Sequence, residues 1–185
     1  MLTECMYKSL PTKKYSIIYA DPPWNYRDIG KAGKRGASYK YSTIEINELK
    51  KFPIDLMCEK NCALFLWVTM PQLQNAIDLI KAWNFKYKTC AFTWIKLNRK
   101  DKKPFIGMGH YTRANAELCL LAMRGKLKRV SASVRSVIQS PICEHSKKPD
   151  EVRERIVNLF GDIPRIELFA RQITEGWDCW GDEIN

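Results

Sequence analysis

The chain is poor in metal ligands and in long apolar runs. It has two histidines, His110 and His145, and its seven cysteines form no Cys-x-x-Cys pair. A structural zinc site would therefore lack its usual ligand spacing, and no metal is expected. Cys62, Cys90 and Cys119 sit in apolar stretches and read as small buried hydrophobes in a reducing cytoplasm. The apolar run at residues 63–68 falls far short of the about twenty residues that cross a bilayer, so no membrane partner is expected. Glu4 and Lys8 interrupt the start of the chain, which therefore reads as carrying no secretory leader. Only nine glycines occur, and Gly107-Met-Gly109 lacks the third glycine and the helix start of a dinucleotide fingerprint. No repeat or low-complexity segment is present.

What the chain does have is a core and a large positive charge. Of its 185 residues 45% are apolar and 28% charged, a globular composition of the size expected for one domain spanning 1–185. The formal charge is +11, which points to a polyanionic partner. Residues 96–148 hold 13 Lys/Arg against 3 Asp/Glu, so this stretch supplies nearly all of the excess. A shorter basic run at residues 31–40 interleaves glycine with lysine and arginine and leads to Tyr39 and Tyr41, suiting phosphate contact and base stacking. Three basic segments are therefore candidate substrate-binding loops: about 27–41, 97–114 and 124–148.

Hydrophobic patterning alternates between strand and helix. Residues 15–20 form a β-rich run that stops at two prolines. Ser42-Thr-Ile-Glu45 has capping-box form ahead of a helix ending before Pro53. Residues 62–69 are apolar on both faces, as in a covered parallel strand. Leu73, Ala76, Ile77, Ile80 and Trp83 form a helical stripe behind Pro71. Strands follow at 87–95 and 116–122, then a helix from Asp150 to a Gly161 cap, then a strand at 166–170. This alternation predicts an α/β fold with a mostly parallel, doubly wound sheet.

In such sheets ligands bind beyond the carboxyl ends of the strands. Asp21-Pro22-Pro23-Trp24 follows the first strand directly. Asp21 is an acceptor, the prolines offer carbonyls on a stiff backbone without N–H groups, and Trp24 offers a flat face. The natural guest is a planar ring bearing an exocyclic amine, whose two hydrogens need two acceptors. The alternative is a strand-terminating turn with a packing tryptophan.

The rest of the chain decides between these readings through a resemblance. Tyr15-Ser-Ile-Ile-Tyr-Ala-Asp-Pro-Pro-Trp24, Tyr41-Ser-Thr43, Leu64-Phe-Leu-Trp-Val-Thr69 and Thr93-Trp-Ile-Lys96 occur in order. They are followed by Gly109-His110, Ala116-Glu-Leu-Cys119, His145-Ser-Lys-Lys-Pro-Asp-Glu151, Ile166-Glu-Leu-Phe-Ala-Arg171, Gly176-Trp177 and Trp180-Gly-Asp-Glu183. Over nearly its whole length the chain resembles the N6-adenine methyltransferases related to the catalytic subunit of the messenger-RNA adenosine methyltransferase, the MT-A-seventy family.

The resemblance implies a Rossmann-like methyltransferase with permuted motif order and S-adenosylmethionine as cofactor, leaving S-adenosylhomocysteine. It implies catalytic roles for Asp21, Pro22, Pro23 and Trp24. Asp21, Lys148, Leu168, Phe169, Arg171, Asp182 and Glu183 would contact the cofactor, with the last two carboxylates on its ribose hydroxyls. Asn25, Lys34, Arg35, Tyr41, Glu117 and Ser146 would face the nucleic acid. Two departures stand out. Asp182 replaces the family's usual asparagine, keeping the acceptor and losing the amide donor. Leu168-Phe-Ala-Arg171 lacks the glycines of other amino-methyltransferases.

The expected function is methyl transfer to the N6 amine of adenine in nucleic acid, DNA ahead of RNA, in the cytoplasm of a bacterium or a phage-infected host. N4-cytosine methylation and a catalytically silent nucleic-acid-binding subunit are the alternatives. Oligomeric state is not legible. Replacing Lys34 and Arg35 by alanine should weaken nucleic-acid binding. For every phosphate left without its cation, the slope of log K against log salt should flatten by about 1, measured by fluorescence anisotropy across a salt series.

Overall fold

A computed structural model describes residues 10–25, 43–109, 111–143 and 147–184. Among these residues the strands are β1 (Tyr15–Ala20), β2 (Cys58–Val68), β3 (Lys86–Leu97), β4 (Ala116–Arg124), β5 (Val137–Pro141), β6 (Arg165–Leu168) and β7 (Asp178–Trp180). The helices are α1 (Ile46–Lys50), α2 (Leu73–Ala82) and α3 (Glu151–Phe160). The seven strands form one sheet in the order β5-β3-β4-β2-β1-β6-β7. Every neighbouring pair is parallel except those of β4, which runs antiparallel to both β2 and β3.

The alternation of side chains along the central strands builds a core on each face. On one face Ile18, Ala20, Leu64, Leu66 and Val68 pack with Ala76, Leu79 and Ile80 of α2. On the other, Ile17, Tyr19, Ala63, Phe65 and Trp67 pack with Val152, Ile156 and Phe160 of α3. Both faces of β2 are thus covered, which is why its sequence is continuously apolar. The doubly wound α/β arrangement expected from the sequence is present. Among the described residues no helix is long and apolar enough to cross a membrane.

Three local expectations change. Ser42, the expected cap, lies outside the described residues, and α1 starts at Ile46 with Glu45 as its N-cap and no side-chain cap bond. Ile44 is instead held in an isolated bridge to Trp24, donating its N–H to the Pro23 carbonyl at 3.0 Å. The strands β5 and β7 carry no readable pattern, because β5 buries only Ile138 fully and β7 is three residues long. The third change concerns charge. Because β4 descends and β5 ascends, the connection holding Lys126, Lys128, Arg129 and Arg135 lies at the amino edge of the sheet. There Arg124 pairs with Asp55, and Val130 donates to Leu159 near the end of α3. This part of the basic 124–148 segment is therefore on the edge opposite Asp21.

Beneath the α3 face lies a buried ion pair. The Arg153 Nε and Nη2 donate to the two Glu167 oxygens at 2.7 and 3.0 Å, and its Nη1 donates to Asp150 at 2.6 Å. The guanidinium stands 5.7 Å from the Tyr19 ring centroid. This arrangement locks α3 to β6 and β1. Arg153→Ala, by leaving the Glu167 carboxylate buried and unpaired, should cost about 3 to 5 kcal/mol at neutral pH, read from urea unfolding.

Candidate active site

The parallel strands β1, β6 and β7 all end at one edge of the sheet, and the antiparallel β4 begins there. Asp21 follows β1, Phe169 and Arg171 follow β6, and Asp182 and Glu183 follow β7. Glu117, second in β4, reaches the same edge from the other direction. Lys148, three residues before α3, is the residue that joins them. Its ammonium donates to Asp21 Oδ2 at 2.7 Å and stands 3.2 Å from Glu117 Oε2. Glu117 also pairs with Lys96. The result is an alternating chain, Lys96–Glu117–Lys148–Asp21, in which Lys148 and Glu117 are buried and the Asp21 side chain stays 24% exposed.

Trp67 forms the floor. Lys148 Nζ lies 5.6 Å from its ring centroid, a favourable cation–π position. The indole Nε1 donates to the Tyr19 hydroxyl at 2.7 Å, and the Trp67 carbonyl accepts from Trp24 Nε1 at 3.0 Å. The site is therefore seated on the same stack of aromatics and charges that fixes α3.

Burial disfavours every charge here, and the pairings decide the outcome. For Asp21 desolvation outweighs the opposing field of Lys148, and its carboxyl is pushed above the ordinary value. For Glu117 desolvation acts the same way, but Lys148 and Lys96 together outweigh it and hold the carboxyl below its ordinary value. Burial acts against the Lys148 ammonium, yet Asp21 and Glu117 hold it well above the usual lysine range. Of the two acids, Asp21 is therefore the more readily protonated.

The Asp-Pro-Pro-Trp segment is more occupied than its sequence implies. Pro22 and Pro23 cannot donate, but their carbonyls do accept: Pro22 from the Trp24 N–H at 2.8 Å and Pro23 from Ile44. A carbonyl oxygen has two lone pairs, and the Trp24 N–H takes one of those on the buried Pro22. Trp24 is only 6% exposed and acts as an anchor that fixes the two prolines. Asn25 is half-buried and engaged on both its side chain and its backbone. Its amide donates to Glu45, and its carbonyl accepts from Gln72 Nε2 at 3.0 Å.

Among the candidate cofactor contacts, the Leu168 side chain is fully buried in the core. Phe169 has φ 59°, a left-handed conformation that costs a non-glycine residue on the order of 1 kcal/mol and clusters at functional sites. Its ring packs at 5.7 Å on both Phe52 and Trp180. A Cβ on Gly181 would come 2.2 Å from the Ala170 carbonyl oxygen, so glycine is what lets the two strand ends close together. Arg171 Nε stands 3.7 Å from Glu183 Oε1, and Asp182 is exposed beside it. Lys34, Arg35, Tyr41 and Ser146 lie outside the described residues.

Sequence reasoning missed Lys96, Trp67, Tyr19 and the Arg153–Glu167 pair. Each sits in a strand or helix where a core or solvent role reads equally well; Glu117, an acid opening an apolar strand, was the one visible sign that cations must converge there. A cavity of about 570 Å³ lies elsewhere, on the α3 face, lined by Asp150, Arg153, Val157, Arg165, Thr174 and Trp177 among others. None of the candidate cofactor residues lines it.

Lys148→Met removes the charge that opposes burial at Asp21. The Asp21 carboxyl should then titrate at higher pH than in the wild type, followed by carboxyl-carbon NMR. A carboxyl raised in the folded state destabilises most above its folded pKa. The stability deficit of the variant should therefore shrink as pH falls through that midpoint.

Comparison with known proteins agrees with this geometry. Residues 15–183 match the MT-A70 family. The chain is 36% identical over 197 residues to the Type II methyltransferase M.MunI of a Mycoplasma species, covering 97% of this chain and 82% of that protein. It is 26% identical to the N(6)-adenosine-methyltransferase MT-A70-like protein of Drosophila melanogaster, covering 93% of this chain and 27% of that one. It is 24% identical to the human N(6)-adenosine-methyltransferase catalytic subunit METTL3, over 93% of this chain and 28% of that protein. The chain thus spans little more than a quarter of these longer relatives. With Asp21, Lys148 and Glu117 drawn to one rim and the match running through all of them, the chain belongs to the MT-A70 family of methyltransferases.

Proposed function

We propose that the protein methylates the N6 amine of adenine in DNA, with Asp21 as the residue that holds the amine. The observation that carries this reading is the Asp21–Lys148–Glu117 cluster at the strand ends. It sets one partly exposed carboxylate, one residue before the Pro22 carbonyl, in otherwise buried surroundings. DNA is favoured over RNA because the Type II methyltransferase is matched over most of its own length. The adenosine methyltransferases are matched over about a quarter.

S-adenosylmethionine, when bound, supplies an electrophilic methyl group on a sulfonium and leaves as S-adenosylhomocysteine. The residues at the carboxyl rim fit it. Asp182 and Glu183 are carboxylates that can accept from vicinal ribose hydroxyls, Phe169 and Trp180 offer aromatic faces, and Arg171 offers a cation for a carboxylate. Asp21 and the Pro22 carbonyl accept the two amine hydrogens, which returns electron density to nitrogen and orients its lone pair for in-line attack. As the new C–N bond forms, the nitrogen carries an extra proton. Asp21, its carboxyl raised by burial, is placed to receive it. Lys148 keeps Asp21 oriented, and Glu117 with Lys96 keeps Lys148 oriented. Tyr41, Lys34, Arg35 and Ser146, with the basic loops at about 27–41 and 97–114, extend the nucleic-acid contact, and no metal enters the scheme.

Transfer from labelled S-adenosylmethionine to single-stranded DNA, duplex DNA and RNA, followed by digestion and mass analysis, tests this. Label should appear on N6-methyl-2′-deoxyadenosine. Label on N6-methyladenosine would make the substrate RNA, and label on cytosine would change the base. No label and no cofactor binding would leave a silent binding subunit. Asp21→Ala should lower transfer by at least 100-fold, the low end of what general acid–base catalysis contributes. Because it also takes one of two carboxylates from the buried Lys148 ammonium, the melting temperature should fall, and circular dichroism at the assay temperature shows whether the variant is folded. Turnover retained in that folded variant would overturn the mechanism.

A further inference from the structure

The connection between β3 and β4 leaves the sheet at the Asp21 edge and carries three large apolar side chains into solvent. Ile106, Met108 and Tyr111 are 75%, 77% and 102% exposed. Single exposed hydrophobes are ordinary; three within six residues, at the tip of one loop, form a patch that calls for a partner. Around them stand Lys100, Lys102, Lys103 and Arg113, all exposed, so the partner is polyanionic as well as able to take apolar side chains.

The loop is built as a narrow ribbon. A Cβ on Gly107 would lie 1.9 Å from the Ala114 carbonyl oxygen, and one on Gly109 would lie 2.1 Å from that of Thr112. The two limbs, 105–109 and 111–115, are therefore in direct backbone contact, closer than any side chain permits, and the ribbon they form is as thin as two strands. Its stem is tied to the active site. The Lys96 N–H donates to the Asn115 carbonyl at 2.8 Å, and the Lys96 carbonyl accepts from the Phe105 N–H at 2.8 Å. The side chain of this same Lys96 pairs with Glu117 and stands 5.1 Å from the Trp94 ring centroid. The position of the tip is thus set by the residue that ends the Lys96–Glu117–Lys148–Asp21 chain.

We propose that the ribbon formed by residues 105–109 and 111–115 is a duplex-opening wedge. Its basic flanks lie on the phosphates while Ile106, Met108 and Tyr111 enter the base stack from which the target adenine is drawn towards Asp21. A two-stranded ribbon fits a DNA groove, apolar wedges unstack base steps, and an amine inside a duplex is out of reach until its base leaves the stack. The inference rests on the function proposed above and adds duplex DNA as the form of substrate that this loop serves.

The test compares native and heat-denatured samples of one bacterial chromosomal DNA that lacks N6-methyladenine, using labelled S-adenosylmethionine. The variant is Ile106→Ala/Met108→Ala/Tyr111→Ala, which removes no buried side chain. Its ratio of duplex to denatured rate should fall at least tenfold below that of the wild type. An unchanged ratio, with both rates lowered alike or neither lowered, overturns the wedge and leaves the function standing. A lowered ratio that accompanies conversion of a wild-type dimer to a monomer by sedimentation also overturns it, since the tip would then be a subunit interface. A wild type that labels neither form refutes the proposed function, and the wedge falls with it.

Discussion

The ammonium of Lys148, held between the carboxylates of Asp21 and Glu117, is the contact on which the site depends. Three segments far apart in sequence end at this one nitrogen: the exit of β1, the start of β4 and the approach to α3. None of these charges would be stable alone at such burial. A single buried carboxylate or ammonium is costly, and only mutual pairing with further hydrogen bonds offsets the loss of water. The cluster therefore fixes where the three segments stand, and it leaves Asp21 alone with an exposed side.

What lies beneath the cluster is as constrained as the cluster. Trp67 carries Lys148 on its ring, anchors Trp24 through its carbonyl and bonds Tyr19 through its indole nitrogen. Tyr19 in turn faces Arg153, which is clamped by Glu167 and Asp150. A buried network of this kind is worth keeping only when each member is satisfied. Here every link also belongs to the strand–helix contacts that define the fold. Stability and positioning share the same atoms, so rigidity at Pro22 and Pro23 comes from tryptophans and carbonyl contacts as well as from the proline rings.

Charge is divided by edge. The basic residues after β4 gather at the amino edge, while Lys96, Lys148, the β3–β4 loop and Arg171 gather at the carboxyl edge with Asp21. Net charge identified the class of partner, but the fold selects which lysines are near the reactive carboxylate. The reversal of β4 is the cause. It sends Glu117 to the rim and, at its other end, carries Arg124 and the residues after it away.

The sequence by itself determined the α/β class, the two covered faces and the motif at the end of β1. These follow from local rules: an apolar run such as that of β2, a stripe such as that of α2, and two prolines that stop a strand. The same letters named Asp21, Glu117 and Lys148 through their family resemblance. Only the tertiary structure decided that β4 runs antiparallel, that β5 and β7 complete the sheet, and that Ile44 bridges to Trp24 instead of joining a capped helix. It alone decided that Trp24 is an anchor, and that Lys96, Trp67, Tyr19 and Arg153 support the site. Strand direction, edge pairing and the partner of a buried charge depend on residues tens of positions away, and no window of local sequence contains them.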